Sequence, residues 1–252
     1  MKSQKQILIE SLKQKGFSKE ILQGFSKVKR ENFVPKEIKE YAYEDTSLPI
    51  GNKQTISQPY TIAMMFSLLE LKKGLKILEI GSGCGYVLAL LSEIVGRGNL
   101  SKRGQVKGEV YGIEIIKELS EKSKKNLKEY KNIKVYNKNG RLGLKEEVSA
   151  MSQNQRKVKR RKPWCPRFDR ILISARNKEI PEKLVSQLKN NGIIVAPLGN
   201  SYVQSLTAFK KVKGKLKLKK EIPGFVFVPL VGDWVFYIIY SLKLYQQVII
   251  IL

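Results

Sequence analysis

The chain has 252 residues, 48 Lys and Arg against 22 Asp and Glu, a net charge of +26, 42% hydrophobic residues, two cysteines and no histidine. That composition suits one globular α/β domain with additions. It excludes a disulfide scaffold, a four-cysteine zinc site, any His-ligated metal, a Ser-His-Asp triad and a Cys-His pair, so no metal is expected.

Residues 3–14 and 18–28 read as two short helices broken at Gly16, with Ser18 as a cap and Ile21, Leu22 and Phe25 on one face. Residues 31–57 read as mostly loop, punctuated by Pro35, Pro49 and Gly51. A helix is expected over 58–71, with Pro59 in its first turn. A regular alternation then begins: strand 75–80, a glycine-rich turn, helix 86–95, strand 109–114, an amphipathic helix 116–130 and strand 133–136. It continues with strand 168–174, a helix opening at Pro181, strand 192–197 and further strands at 204–212, 215–222 and 225–229. Strands alternating with helices predict right-handed βαβ units. The expected fold is a Rossmann-like, doubly wound, mostly parallel sheet with helices on both faces and an N-terminal helical extension.

The expected organisation is a single domain over 1–232. Residues 1–71 form its helical and active-site segment and 72–232 its core. Two basic loops interrupt the core: 97–108 has four positive charges and 149–167 has seven, and neither has a negative one. They leave a nucleic-acid contact as a second reading beside that of solvated surface. Residues 233–252 form an apolar tail. Lys243, Gln246 and Gln247 interrupt it, so it reads as strands on a sheet edge rather than a membrane span. The first residues lack the apolar run of a secretory signal, and cysteines are few, which points to the cytoplasm.

The sharpest local signal is Leu78-Glu79-Ile80-Gly81-Ser82-Gly83-Cys84-Gly85-Tyr86, between a strand and a helix. Glycines there let the backbone approach a ligand. The spacing is not that of a dinucleotide fingerprint, because Tyr86 stands at the sixth position, and no phosphate-binding G-x-x-x-x-G-K-[ST] is present. The form E-x-G-x-G-x-G resembles motif I of the class I S-adenosylmethionine-dependent methyltransferases. Glu114 ends the next strand, where a carboxylate can accept both ribose hydroxyls. Strand four ends Ser174-Ala175-Arg176-Asn177, without the [DNS]-P-P-[YFW] tetrad of exocyclic amino-methyltransferases.

The stretch 48–59, LPIGNKQTISQP, resembles the signature of protein-L-isoaspartate O-methyltransferases. Asn32-Phe33-Val34-Pro35, Asn139-Gly140-Arg141-Leu142-Gly143, Phe168-Asp169, Ile180-Pro181, the 192–199 run GIIVAPLG and Phe227-Val228-Pro229-Leu230 extend the resemblance over most of 5–232. It implies methyl transfer from S-adenosylmethionine, leaving S-adenosylhomocysteine, to the α-carboxylate of isoaspartyl residues in damaged proteins. A succinimide then returns part of the product to aspartate. It implies Ser57 and Thr55 as catalytic residues. It implies a cofactor site of Ile56, Gln58, Glu79, Gly81, Ser82, Gly83, Gly85, Glu114, Ile115, Asn139 and Gly140. Pro197, Val228, Pro229 and Leu230 would shape the peptide groove, and a monomer is implied. Asn139 departs from the family's aspartate and predicts weaker cofactor binding. Arg176 stands where the family often has alanine, and is expected to face solvent. An RNA-associated methyltransferase and a cofactor-binding relative without activity remain as alternatives.

Overall fold

The computed structural model describes residues 2–96, 107–144 and 166–230. Most of both basic loops (97–106 and 149–165), with Cys165, and the 233–252 tail lie outside the described residues.

Helix α1 (Gln4–Gln14) opens with a capping box: Ser3 Oγ accepts the Gln6 N–H while Gln6 accepts the Ser3 N–H. Helix α2 (Lys19–Lys27) buries Ile21 and Phe25 against α4, and Ser18 holds the N-cap position without a side-chain capping bond. Two 3₁₀ turns follow, Arg30–Asn32 and Lys36–Tyr41. The region expected to be loop then forms a hairpin, β1 (Leu48–Gly51) against β2 (Gln54–Ile56). Its turn runs through Gly51, Asn52 and Lys53, all at positive φ. Strands of four and three residues are too short for alternation to reveal. Helix α3 (Pro59–Leu69) carries Pro59 in its first turn, as expected.

The central sheet has seven strands in the order β5-β4-β3-β6-β7-β8-β9. Strands β3 (Lys76–Ile80), β4 (Glu109–Glu114), β5 (Ile133–Asn137), β6 (Phe168–Ile173) and β7 (Leu188–Gly199) are parallel. Strands β8 (Gln204–Val212) and β9 (Lys215–Phe225) close one edge antiparallel. Helices α4 (Tyr86–Val95), α5 (Lys117–Asn126) and α6 (Glu182–Gln187) connect the parallel strands. Helix α5 is shorter than expected, its C-cap falling at Leu127. The strand expected over 225–229 is not formed. After Phe225, which still pairs with Gln204, the chain leaves the sheet edge, and only Pro229 bridges, to Arg176. Pro223 and Pro229 have no N–H to give a ladder, which favours that departure.

Alternation along β3 splits the core. Ile77 joins Leu12, Phe25, Phe66 and Leu91 on the face covered by α1–α5, while Leu78 and Ile80 join Phe168, Ile171 and Leu184 on the face with α6. Glu79 is buried between them. The exposed Lys215, Lys217, Lys219 and Lys220 protect β9 from pairing with another chain. No helix among the described residues is long and apolar enough to cross a membrane.

Candidate active site

The first parallel strand of the core, β3, is also where ligands are bound in open α/β sheets, at the carboxyl end. There the chain forms a small, partly open cavity. The hairpin supplies Ile50, Thr55, Ile56 and Ser57 to it. The β3 end and the glycine turn supply Glu79, Gly81, Ser82, Gly83 and Cys84. Tyr86 and Val87 open α4 beneath it, and Ser174 closes the far side.

The glycine turn is shaped by close approach. A Cβ on Gly83 would stand 3.2 Å from Ile50 Cδ1, so the hairpin lies directly on the turn. Gly85, at φ +89°, would put a Cβ 2.5 Å from Ser123 Oγ. The Gly81 and Ser82 N–H groups donate to the Ile113 carbonyl at 2.8 and 3.2 Å. The Gly83 N–H donates to Glu114 Oε2 at 2.8 Å, and the Ile116 N–H donates to Glu114 Oε1 at 2.9 Å. Glu114 therefore clamps the turn to the end of β4. Burial pushes its pKa up, against the pull of those N–H groups.

Glu79 is 1% exposed. Ser174 Oγ donates to its Oε1 at 2.7 Å. Its Oε2 and the buried Ser82 Oγ have no hydrogen-bond partner among the described residues. Burial pushes the Glu79 carboxyl up to about 8; the Ser174 hydrogen bond opposes this and the Glu114 charge adds to it. Both residues line the cavity, and a buried polar atom without a partner marks a place for a ligand. Burial also pushes the Cys84 thiol up to about 11, which removes it as a nucleophile near neutral pH.

Beyond the cavity, Ile115, Asn139 and Gly140 lie along the carboxyl ends of β4 and β5. Asn137 Nδ2 ties the first of these down by donating to the Glu114 and Ile115 carbonyls at 2.8 and 2.9 Å. Asn139 Oδ1 accepts the Arg141 N–H at 3.0 Å, capping the 3₁₀ turn Gly140–Leu142, so this amide oxygen already has one partner. Gln58 does not line the cavity; its amide donates to the Asp45 carbonyl at 2.9 Å and accepts from Thr61 Oγ1 at 3.2 Å.

The four groove residues converge on the chain that follows β6. The Arg176 N–H donates to the Val228 carbonyl at 2.8 Å and the Leu230 N–H donates to the Arg176 carbonyl at 3.0 Å, with Pro229 between them. The Asn177 N–H donates to the Pro197 carbonyl at 3.0 Å. Pro197 is buried and supports this wall from behind, while Val228, Pro229 and Leu230 are half-buried. Arg176, expected in solvent, is also half-buried, and its Nε has no partner.

The sequence did not point to Ser174 or Arg30. Ser174 had a usable signal, a hydroxyl at the carboxyl end of a core strand. Arg30 had none in a chain so rich in cations, yet its guanidinium holds the Ser57 carbonyl at 3.1 Å.

Residues 3–152 and 158–234 match the sequence model of the protein-L-isoaspartate(D-aspartate) O-methyltransferase (PCMT) family. The chain belongs to that family. It is 38% identical to the protein-L-isoaspartate O-methyltransferase of Methanothrix thermoacetophila, over 92% of this chain and 97% of that one. It is 39% identical to the enzyme of Fervidobacterium nodosum, over 89% of this chain and 100% of that one. A solved protein-L-isoaspartate O-methyltransferase superposes with a TM-score of 0.72 at 26% identity, covering 90% of this chain and 66% of that longer one. A putative Plasmodium falciparum member, solved in complex with S-adenosyl-L-homocysteine, superposes with a TM-score of 0.70 at 26% identity, covering 92% and 100%. The chain is thus a methyltransferase of the isoaspartate-repair class, dependent on S-adenosylmethionine.

Proposed function

We propose that this PCMT member esterifies the α-carboxylate of isoaspartyl residues at the cavity, with Ser57 orienting the carboxylate and Glu79 holding the cationic end of S-adenosylmethionine. The carrying observation is the pairing within one cavity of a hairpin hydroxyl, Ser57, with a buried carboxylate, Glu79, whose outer oxygen is unpartnered. The residues fit the cofactor: a glycine turn without side chains, an acid at the end of β4, and an unpaired Glu79 oxygen for a cation. Bound there, S-adenosylmethionine supplies an electrophilic methyl on a sulfonium.

The protein's share of the chemistry is modest. A carboxylate is ionised at neutral pH and needs no base. Ser57 Oγ donates to one substrate oxygen and leaves the other aimed at the methyl carbon. Transfer from the sulfonium would exchange its S–C bond for the new C–O bond and cancel the two opposite charges, so it would ask no proton of Ser57 or of any other residue. Alignment and exclusion of water therefore supply most of the rate. Thr55 aids from the same strand, and Ile56 and Gln58 hold the hairpin's exit. Gly81, Ser82, Gly83, Gly85, Glu114, Ile115, Asn139 and Gly140 form the cofactor's bed. Pro197, Val228, Pro229 and Leu230 form the groove for the damaged peptide.

This reading takes residues 1–232 as one domain and a monomer as the working unit. It assigns the enzyme to the cytoplasm, which its sparse cysteine use favours, with isoaspartyl proteins as its partners. The residue roles are tested by Ser57→Ala. Loss of one hydrogen bond to a charged group predicts a fall in kcat of roughly 10- to 100-fold with unchanged cofactor affinity. Wild-type turnover would remove Ser57 from the mechanism.

A further inference from the structure

Arg30 is the one buried cation among the described residues, 0% exposed. Its Nη1 donates to the Ala42 and Glu44 carbonyls at 3.2 and 3.0 Å. Its Nη2 donates to the Thr46 and Ser57 carbonyls at 3.0 and 3.1 Å. The remaining Nε–H has no partner. Among the described residues no carboxylate forms an ion pair with it. Asp45 acts on it electrostatically, but Asp45 Oδ1 accepts the Tyr60 N–H at 2.8 Å. The guanidinium carbon also lies 5.7 Å from the ring centroid of Tyr86, a cavity wall.

Two consequences follow from that geometry. Three of the carbonyls belong to the 42–46 segment and the fourth to Ser57, so one planar fork joins the two arms of chain that flank the β1–β2 hairpin. A lysine could not reproduce it, because an ammonium has three donors and no fixed plane. The second consequence concerns charge. Glu79 and Glu114 make the cofactor side of the cavity acidic, and an incoming substrate carboxylate is repelled by whichever of them is ionised. Main-chain carbonyls satisfy the Arg30 hydrogen bonds without neutralising its charge. A positive potential therefore reaches the Ser57 side of the cavity.

We propose that Arg30 is a positioning residue for methyl transfer: its guanidinium fixes the Ser57 main chain against the 42–46 segment and draws the substrate carboxylate to that side of the cavity. The inference rests on the role given to Ser57 above.

The test is a cycle of wild type, Arg30→Lys, Ser57→Ala and the double variant, read as kcat, KM for an isoaspartyl peptide and cofactor Kd. Arg30→Lys keeps the charge and loses the fork. Its kcat should fall roughly 10- to 100-fold, as for a displaced reacting group, while KM and cofactor Kd stay within about twofold. Because Arg30 acts through Ser57, the double variant should be no slower than Ser57→Ala alone, within about twofold. Losses that multiply would overturn the inference. Full activity in Arg30→Lys beside an impaired Ser57→Ala overturns it alone, whereas full activity in Ser57→Ala overturns the Ser57 assignment and this inference together. Asp45→Asn tests the charge independently, including where Arg30→Lys does not fold. It keeps an acceptor for the Tyr60 N–H and removes the negative charge acting on Arg30. The peptide KM should fall about threefold at low salt and converge on wild type at high salt. An unchanged or higher KM would refute the electrostatic half.

Discussion

Glu79→Gln should strengthen the unliganded protein and weaken its hold on the cofactor, two effects of opposite sign from one substitution. In the fold, burial raises the Glu79 pKa from 4.5 to about 8. The unfolded chain releases this proton near 4.5 and the folded chain keeps it until about 8. Between those values the unfolded state binds fewer protons, so stability falls as pH rises. At about 1.4 kcal/mol for each pH unit, the step from pH 5 to pH 8 removes about 4 kcal/mol. Glutamine occupies the same space, can still meet Ser174 Oγ, and does not titrate. For a domain of this size each kcal/mol moves the melting temperature roughly 2–4 °C. The variant should therefore melt close to wild type at pH 5 and roughly 10 °C above it at pH 8. Glu114, whose pKa burial also raises, is present in both proteins. The assay is thermal unfolding of both unliganded proteins from pH 5 to 8.5. Calorimetric titration with S-adenosylmethionine accompanies it, in two buffers of different ionisation enthalpy. Wild type should release a proton on binding at pH 7, since its carboxyl must ionise to meet the cation, and the variant should bind more weakly without that release. Melting curves that run parallel across the range would refute the reasoning.

Gly85→Ala should cost about 2–4 kcal/mol, from left-handed backbone strain and the displacement of Ser123 and Leu127; urea unfolding measures it, and a loss below about 1 kcal/mol would show that the turn yields. Asn139→Asp keeps the acceptor for the Arg141 N–H and restores the family's charge. It should tighten cofactor binding roughly 3- to 10-fold by titration with little change in melting temperature; unaltered affinity would show that the asparagine already does the work.

The sequence was most legible where several local requirements coincide. The turn at 81–85 lies between an apolar strand and an apolar helix, and its three glycines all adopt positive φ, so strand, turn and helix were all readable. Strand β8 was anticipated to the residue because its apolar and polar positions span nine residues. The β1–β2 hairpin was hidden by its length, although the motif it carries was plain. The strand expected over 225–229 failed because apolar content there serves packing: Phe227 is buried and its N–H donates to Gln204 Oε1 at 2.6 Å, across a chain that has left the sheet edge. Glu114 was legible from its place at the end of a strand, but its grip on the Gly83 N–H is a tertiary contact across 31 residues. Arg30 was illegible for the same reason, since its acceptors are main-chain carbonyls and carry no side-chain signature.

The most direct test of the repair activity in this chain uses two synthetic peptides, identical except that one carries L-isoaspartate where the other carries L-aspartate, offered with methyl-labelled S-adenosylmethionine. The account predicts labelling of the isoaspartyl peptide alone, as an ester that base releases. Equal labelling of both peptides, or of neither by folded protein that binds the cofactor, would contradict it.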